Sequence, residues 1–255
     1  MIALKTDREI DKMRAAGKVV AGALRLARKM AKPGKRVLDI DRAIGRFIRN
    51  QGGKPIFKGY RIAKGVPPFP GNICASFNEE VVHGIPNVRK LQKGDILSID
   101  CGVKLDGYCA DAAITVAVEP VTIEGRRLMN VTREALGLAI SRMRSGVMWH
   151  EVARAMQDHV EAAGFSMVTK YGSHGIGCHL HEEPANVPNF AMPVHQLMLR
   201  EGMTIAVEPM VTERPVTLRT KPDRWTIVTT DGSRAAHWEH TVAITEHGAE
   251  VLTKE

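Results

Sequence analysis

The stretch Lys93-Gly94-Asp95-Ile96-Leu97-Ser98-Ile99-Asp100 runs from a turn glycine through apolar residues to a carboxylate. The chain uses the pattern again in Glu201-Gly202-Met203-Thr204-Ile205-Ala206-Val207-Glu208. A second acidic pair follows the same logic: Ala110-Asp111-Ala112-Ala113-Ile114-Thr115 is matched by Trp238-Glu239-His240-Thr241-Val242-Ala243-Ile244-Thr245. A His-Gly-Ile precedes each acidic strand, at His83 and at His174. Four carboxylates that end or enter apolar strands repel one another and are costly to bury unless something cationic sits among them. The repeat therefore points to a metal site shared between two half-domains.

The repeat extends into helices. Ala23-Leu24-Arg25-Leu26-Ala27 recurs as Ala135-Leu136-Gly137-Leu138-Ala139, and at the same offset Gly34 meets Gly146, Ile40 meets Val152 and Gly52 meets Gly164. Ile40, Ile44 and Ile48, and likewise Val152, Met156 and Val160, fall on one helical face. Each half reads as helix, glycine-marked turn, helix, then strands, over about 7–118 and 124–252 of a single domain spanning 1–255.

Thr6-Asp7-Arg8-Glu9 is a capping-box pattern that opens a helix reaching about Ala31, where Pro33-Gly34 ends it. A second helix is expected from Asp39 to Gln51, and an irregular Lys/Gly/Pro-rich loop over 54–72. Strands are expected near 73–77, 96–103 and 108–118, and helices near 124–144 and 149–163. Further strand and loop segments follow near 166–171, 203–211, 224–230 and 238–246.

The bulk properties set limits. A chain of 255 residues can bury a substantial core. It has no apolar run long enough to span a bilayer, and its N-terminus turns charged at once, unlike a signal peptide. The four cysteines lack metal or disulfide spacing, so a reduced cytoplasm is expected, with no membrane partner. The net charge of +8 grows more basic still if metal neutralises the carboxylates, which favours proximity to nucleic acid or a ribosome surface.

Asp106-Gly107 is a preferred two-residue hairpin turn. With it, Leu105 pairs with Tyr108 and Gly102 lies opposite Asp111. Asp100 then shares a face with Asp111, diagonally about 7–8 Å away at the backbone. Gly102 should leave room there for metals. Glu208, Glu239 and His174 complete a hard, oxygen-rich set suited to Mn²⁺, Fe²⁺, Co²⁺ or Zn²⁺. Four negative charges balance two divalent ions, and paired metals of this kind perform amide hydrolysis.

Of the remaining histidines, His83 is held at a strand end by Gly84-Ile85-Pro86. His181 follows the glycine-rich His174-Gly175-Ile176-Gly177, which favours close backbone approach over helix. His181 is expected to be functional, and His179 to lie at the rim.

These segments resemble the type I methionine aminopeptidases across nearly the whole chain. The specific pieces are Asn78-Glu79-Glu80-Val81-Val82-His83-Gly84-Ile85-Pro86, Ser98-Ile99-Asp100, His174-Gly175-Ile176-Gly177 with His181-Glu182-Glu183-Pro184, Ile205-Ala206-Val207-Glu208-Pro209-Met210, and Trp238-Glu239-His240-Thr241. The resemblance implies an α/β pita-bread fold with pseudo-twofold halves around a central antiparallel sheet covered by helices. It implies that Asp100, Asp111, His174, Glu208 and Glu239 ligate two metals, and that His83 and His181 contact the substrate. It further implies that Phe69, Cys74 and Trp225 line an apolar methionine pocket.

The implied activity is removal of the initiator methionine from nascent polypeptide N-termini when the next residue is small. A metal-bridging hydroxide would attack the first carbonyl, with Glu208 moving the proton, His181 stabilising the oxyanion and His83 at the scissile amide. A monomer with no DNA partner is expected. Ser173, His179, Leu180 and Phe69 depart from the family's usual residues, and the 57–72 loop is longer and more basic than is common. The competing readings are an Xaa-Pro peptidase, which usually carries an extra N-terminal domain, and a non-catalytic binding relative, which would have lost metal ligands.

Overall fold

In the computed structural model, which describes residues 2–192, 194 and 196–254, helix α1 (Asp7–Met30) starts at the expected cap. The Glu9 carboxylate accepts the Thr6 backbone N–H at 2.8 Å, which satisfies a donor the first turn leaves open. Ile10, Met13, Val20, Leu24 and Ala27 fall at helical spacing and are buried. Helix α2 (Val37–Asn50) buries Ile40, Ile44 and Ile48 as the periodicity requires. Both helices pack with the strands Cys74–Phe77, Ile96–Leu105 and Tyr108–Ala117 into one apolar cluster.

Helices α3 (Ile123–Arg142) and α4 (Trp149–Ala162) repeat the arrangement. They cover a second sheet whose strands run Gly248–Val251, His240–Thr245, Thr204–Val207, Ser173–Gly175, Glu182–Val187 in spatial order. The repeat holds in backbone detail. Gly34 and Gly146 have φ of 85° and 87°, and Gly52 and Gly164 have 78° and 83°, left-handed values that only glycine adopts without strain. The Gly34 N–H bonds Leu91 O at 2.8 Å where the Gly146 N–H bonds Leu199 O at 2.9 Å. Gly94 N–H to Val118 O is likewise matched by Gly202 N–H to Ile244 O.

The halves meet at several places, among them the pairing of Glu80–Val82 with Ile227–Thr229, and one seam carries acidic residues. Strand Tyr108–Ala117 lies against the segment 235–241 and is tied to it at every second residue. The Asp111 N–H donates to Thr241 Oγ1 at 2.9 Å, and that hydroxyl donates to Asp111 O at 2.8 Å. Ala113 and Glu239 exchange backbone bonds of 2.9 and 3.3 Å. His237 N–H donates to Thr115 Oγ1 at 2.9 Å, and Thr115 returns a 2.8 Å bond to His237 O. Acidic residues from both halves are therefore brought together by the seam itself.

Several boundaries differ from the expectation. The segment expected over 203–211 breaks into Thr204–Val207 and Met210–Thr212, because Pro209 has no N–H to continue a ladder. The segment near 238–246 is preceded by Ala235–His237 and interrupted at Trp238-Glu239. Of 166–171 only Ser166–Met167 is strand. Strands Glu80–Val82, Glu182–Val187, Leu218–Thr220 and Gly248–Val251 carry no readable alternation and form by pairing with neighbours distant in sequence. Among the described residues no helix is long and apolar enough to cross a membrane.

Candidate functional site

The Asp106-Gly107 turn has both residues at positive φ, 48° and 88°, as a two-residue turn of this twist requires. It sets the register that pairs Leu105 with Tyr108 and Gly102 with Asp111. Asp100 stands opposite Ala113, on the same face of the hairpin as Asp111. One expectation needs correction here. The space left by Gly102 is not open for metals: a Cβ there would meet Ile56 at 2.7 Å and Phe57 at 2.8 Å, so the loop that follows α2 already fills it.

The second half supplies the rest. Glu208 is delivered by the break before Pro209, and Glu239 by the interruption between two strands. His174 sits in Ser173–Gly175, where a Cβ on Gly175 would lie 2.6 Å from Glu183 O, so the two backbones can approach only with glycine. Ligand atoms of Asp111, His174 and Glu239 lie within 4.8 Å of one another. Glu208 Oε1 is 3.6 Å from His174 Nε2.

The electrostatics fit a cation. Burial, with the charges of Asp111 and Glu208, drives the Asp100 carboxyl well above the usual range. Burial and the neighbouring acids do the same to Glu239, as burial and Asp111 do to Glu208. Burial also raises Asp111, to about 7. Burial, with the adjacent His181, lowers His174 to about 3, which keeps its imidazole neutral as a metal ligand requires. The Oδ1 atoms of Asp100 and Asp111 are buried without a hydrogen-bond partner. Among the described residues no lysine or arginine lies within ion-pair distance of these four carboxylates. Repelling acids, orphaned oxygens and a neutral imidazole make a site that divalent metal would satisfy.

Asp100, Asp111, His174, Glu208, Glu239, His83, His181, Phe69, Cys74 and Trp225 all line one cleft of about 120 Å³. His83 has φ of 59°, a left-handed conformation unusual for a residue with a side chain, at the end of Glu80–Val82. Burial lowers it to about 4, so its ring is neutral. Phe69 and Trp225 meet edge to face at 5.2 Å, and Trp225 Nε1–H donates to Pro67 O at 2.8 Å. Cys74 pairs with Asp100 across the ladder, and burial pushes its thiol up, leaving it an uncharged wall of the pocket. Leu180 is buried and lines the same cleft, whereas His179 is exposed.

Three groups here were missed or left unexplained by the sequence. Tyr60 places its hydroxyl 2.7 Å from His181 Nδ1, reaching across from the 57–72 loop, whose Phe57, Ile62 and Phe69 also line the cleft. Ser173, seen only as a departure, donates to Asn189 Oδ1 at 2.6 Å and accepts the Glu208 N–H at 3.1 Å. His237 is buried against Glu208. Tyr60 sits in an irregular loop with no periodicity to read. His237 ends a strand just before the interruption at Trp238-Glu239, so no strand period ties it to the acidic residues.

Comparison with known proteins agrees with this geometry. Metallopeptidase family M24 matches residues 11–246. The methionine aminopeptidase of Clostridium acetobutylicum is 43% identical over 254 residues, covering 99% of both chains. Methionine aminopeptidase 1 of Bacillus subtilis is 42% identical over 254 residues, covering 100% of both. The crystal structure of methionine aminopeptidase from Thermotoga maritima superposes with a TM-score of 0.94 at 44% identity over 100% of both chains. Prolidase from Pyrococcus furiosus, at 21% identity and a TM-score of 0.78, matches 99% of this chain to 65% of its own and shares the fold alone. The α/β pita-bread fold is thus the one adopted. With its paired halves and acidic cleft, the chain belongs to metallopeptidase family M24, within the bacterial type I methionine aminopeptidases.

Proposed function

We propose that the metal-dependent removal of N-terminal methionine, which family membership gives this chain, is carried out by the cleft residues in specific roles. Asp100, Asp111, His174, Glu208 and Glu239 would hold two divalent ions of the cobalt, manganese, iron or zinc class. Bound there, such ions polarise a carbonyl and make water nucleophilic at neutral pH.

The chain's own groups do the rest. Phe69, Cys74 and Trp225 receive the methionine side chain in the apolar end of the cleft. The carboxylate end lies where the free α-amine would be read, which restricts cleavage to the first residue. Glu208 takes the proton of the attacking water on its carboxylate and passes it to the leaving amine. His181, with Nδ1 engaged by Tyr60, presents Nε2–H toward the oxyanion that develops on the scissile carbonyl. His83, neutral and held by its left-handed backbone, addresses the scissile amide. A small second residue completes the specificity. The substrates are nascent polypeptides, and the charge of +8 supports action beside the ribosome, with the chain acting as a monomer. Free Cys74, Cys101, Cys109 and Cys178 support a cytoplasmic setting.

The observation that carries this reading is the convergence of Asp111, His174 and Glu239 in a cleft that Phe69, Leu180 and Trp225 also line. Release of methionine from a Met-Ala-Ser peptide tests it. Release with added Mn²⁺ or Co²⁺, abolished by chelator, is the expected result. Stoichiometric metal binding with no release under any divalent ion would overturn it.

A further inference from the structure

Glu208 has an imidazole on each of its oxygens. Oε1 faces His174 Nε2 at 3.6 Å, and Oε2 faces His237 Nε2 at 3.5 Å. The two histidines are not alike. His174 lines the cleft, while His237 lies behind Glu208, outside the cleft lining, with a side-chain exposure of 2%. His237 Nε2 is buried, and among the described residues it has no hydrogen-bond partner. A buried ring nitrogen without a partner is rare, and the group it faces, a carboxylate, is an acceptor.

The backbone prevents His237 from turning elsewhere. Its N–H and C=O are both engaged by Thr115 Oγ1, at 2.9 and 2.8 Å, and Thr115 is itself held by Ser98 Oγ at 2.8 Å. His237 pairs with Met210 across the ladder, two residues beyond Glu208, so both ends of the contact are set by one strand pair. Glu208 is fixed at its own backbone by Ser173 and, through its carbonyl, by the Asn189 amide at 2.9 Å. Two rigidly mounted side chains thus face each other, one offering a donor and the other an acceptor.

We propose that His237 is a positioning residue, which donates Nε2–H to Glu208 Oε2 and so sets the rotation of that carboxylate. The hydrogen bond turns Oε1 toward His174 and the cleft, and it stabilises the anion that a metal and a proton-carrying step both require. This residue lies outside the ligand and substrate-contact set, and its role rests on the reading of Glu208 given above. Groups behind a ligand commonly change metal affinity by about 10- to 100-fold when removed.

The test uses the full chain with His237→Leu and His237→Gln. Metal-free protein is titrated with Mn²⁺ by calorimetry, and kcat and KM are measured on Met-Ala-Ser. His237→Leu should bind Mn²⁺ about 10- to 100-fold more weakly and lose kcat by a similar factor, with KM changed less than about threefold. His237→Gln, whose amide N–H can reach the same oxygen, should recover most of both. Wild-type metal affinity and turnover in a folded His237→Leu overturns the proposal. So does a His237→Gln protein as impaired as His237→Leu. Should His237→Leu fail to fold, the ¹⁵N shifts of His237 in the zinc-loaded wild type decide: a protonated Nε2 supports the proposal and a bare Nε2 overturns it. Glu208→Gln separates the two readings, since unchanged metal affinity in that variant would refute the role given to Glu208 itself.

Discussion

The Tyr60 hydroxyl stands 2.7 Å from His181 Nδ1, with the two rings 5.5 Å apart between centroids. A tyrosine hydroxyl donating to Nδ1 leaves the proton of a neutral imidazole on Nε2, the nitrogen free to face substrate. Burial lowers the His181 pKa, which also favours the neutral ring. The loop between α2 and Cys74–Phe77 thereby holds the ring of a residue that lies far along the chain.

Tyr60→Phe should lower kcat about five- to tenfold, the worth of one hydrogen bond of about 1 kcal/mol, and leave metal affinity unchanged. Steady-state kinetics beside a metal titration checks this. A rise in KM at constant kcat would instead make Tyr60 a wall of the cleft and no more.

Ser173 bridges Asn189 and the Glu208 backbone from a fully buried position. Ser173→Ala leaves a buried N–H and a buried amide oxygen without partners, which should cost about 1–3 kcal/mol. Urea unfolding should show a lower midpoint with an unchanged slope. An unaltered midpoint would mean that Asn189 and Glu208 find other partners.

Removing metal should give the protein an inverted pH dependence. Asp100, Glu208 and Glu239 titrate well above the usual carboxylate range in the fold, and Asp111 near 7. In the unfolded chain these groups ionise at about pH 4. The folded state therefore binds more protons, and stability falls as pH rises through the folded values. The buried histidines act oppositely but only below their unfolded value of about 6.5. The melting temperature of chelator-treated protein should accordingly rise as pH is lowered from about 9 to about 7. Saturating Mn²⁺ should remove that trend, because protons then compete with the ion.

His83→Ala should reduce kcat by about 10²–10⁴ while metal affinity stays within a few-fold. Calorimetry and turnover measured on one preparation decide the matter. Parallel losses in both would make His83 a ligand or a structural support.

Much of this was readable in advance, for reasons that can be named. The four carboxylates were visible because each ends or enters an apolar strand, a placement that makes no sense without a counter-charge. The Asp106-Gly107 dipeptide specified the hairpin register from local turn geometry, and the paired glycines marked the helix ends of both halves. The strand Glu182–Val187 was not readable, since Glu-Glu-Pro-Ala-Asn-Val has no alternation and its order comes from pairing with Ser173–Gly175. The break at Pro209 was in the sequence, yet its result, the turning of Glu208 into the cleft, depends on what packs around it.

Local chemistry thus singled out residues that the fold gathers into one cleft, because period, turn type and the cost of burying like charges are properties of short segments. What lies beside them was decided by the packed chain alone. Tyr60 reaches His181, Ser173 supports Glu208, and Ile56 and Phe57 fill the space beside Gly102, through contacts between segments that no spacing relates. Such contacts are settled by how the sheets and helices close on one another, and the threonine-tied seam at Asp111, Ala113 and Thr115 is where that closure becomes a single site.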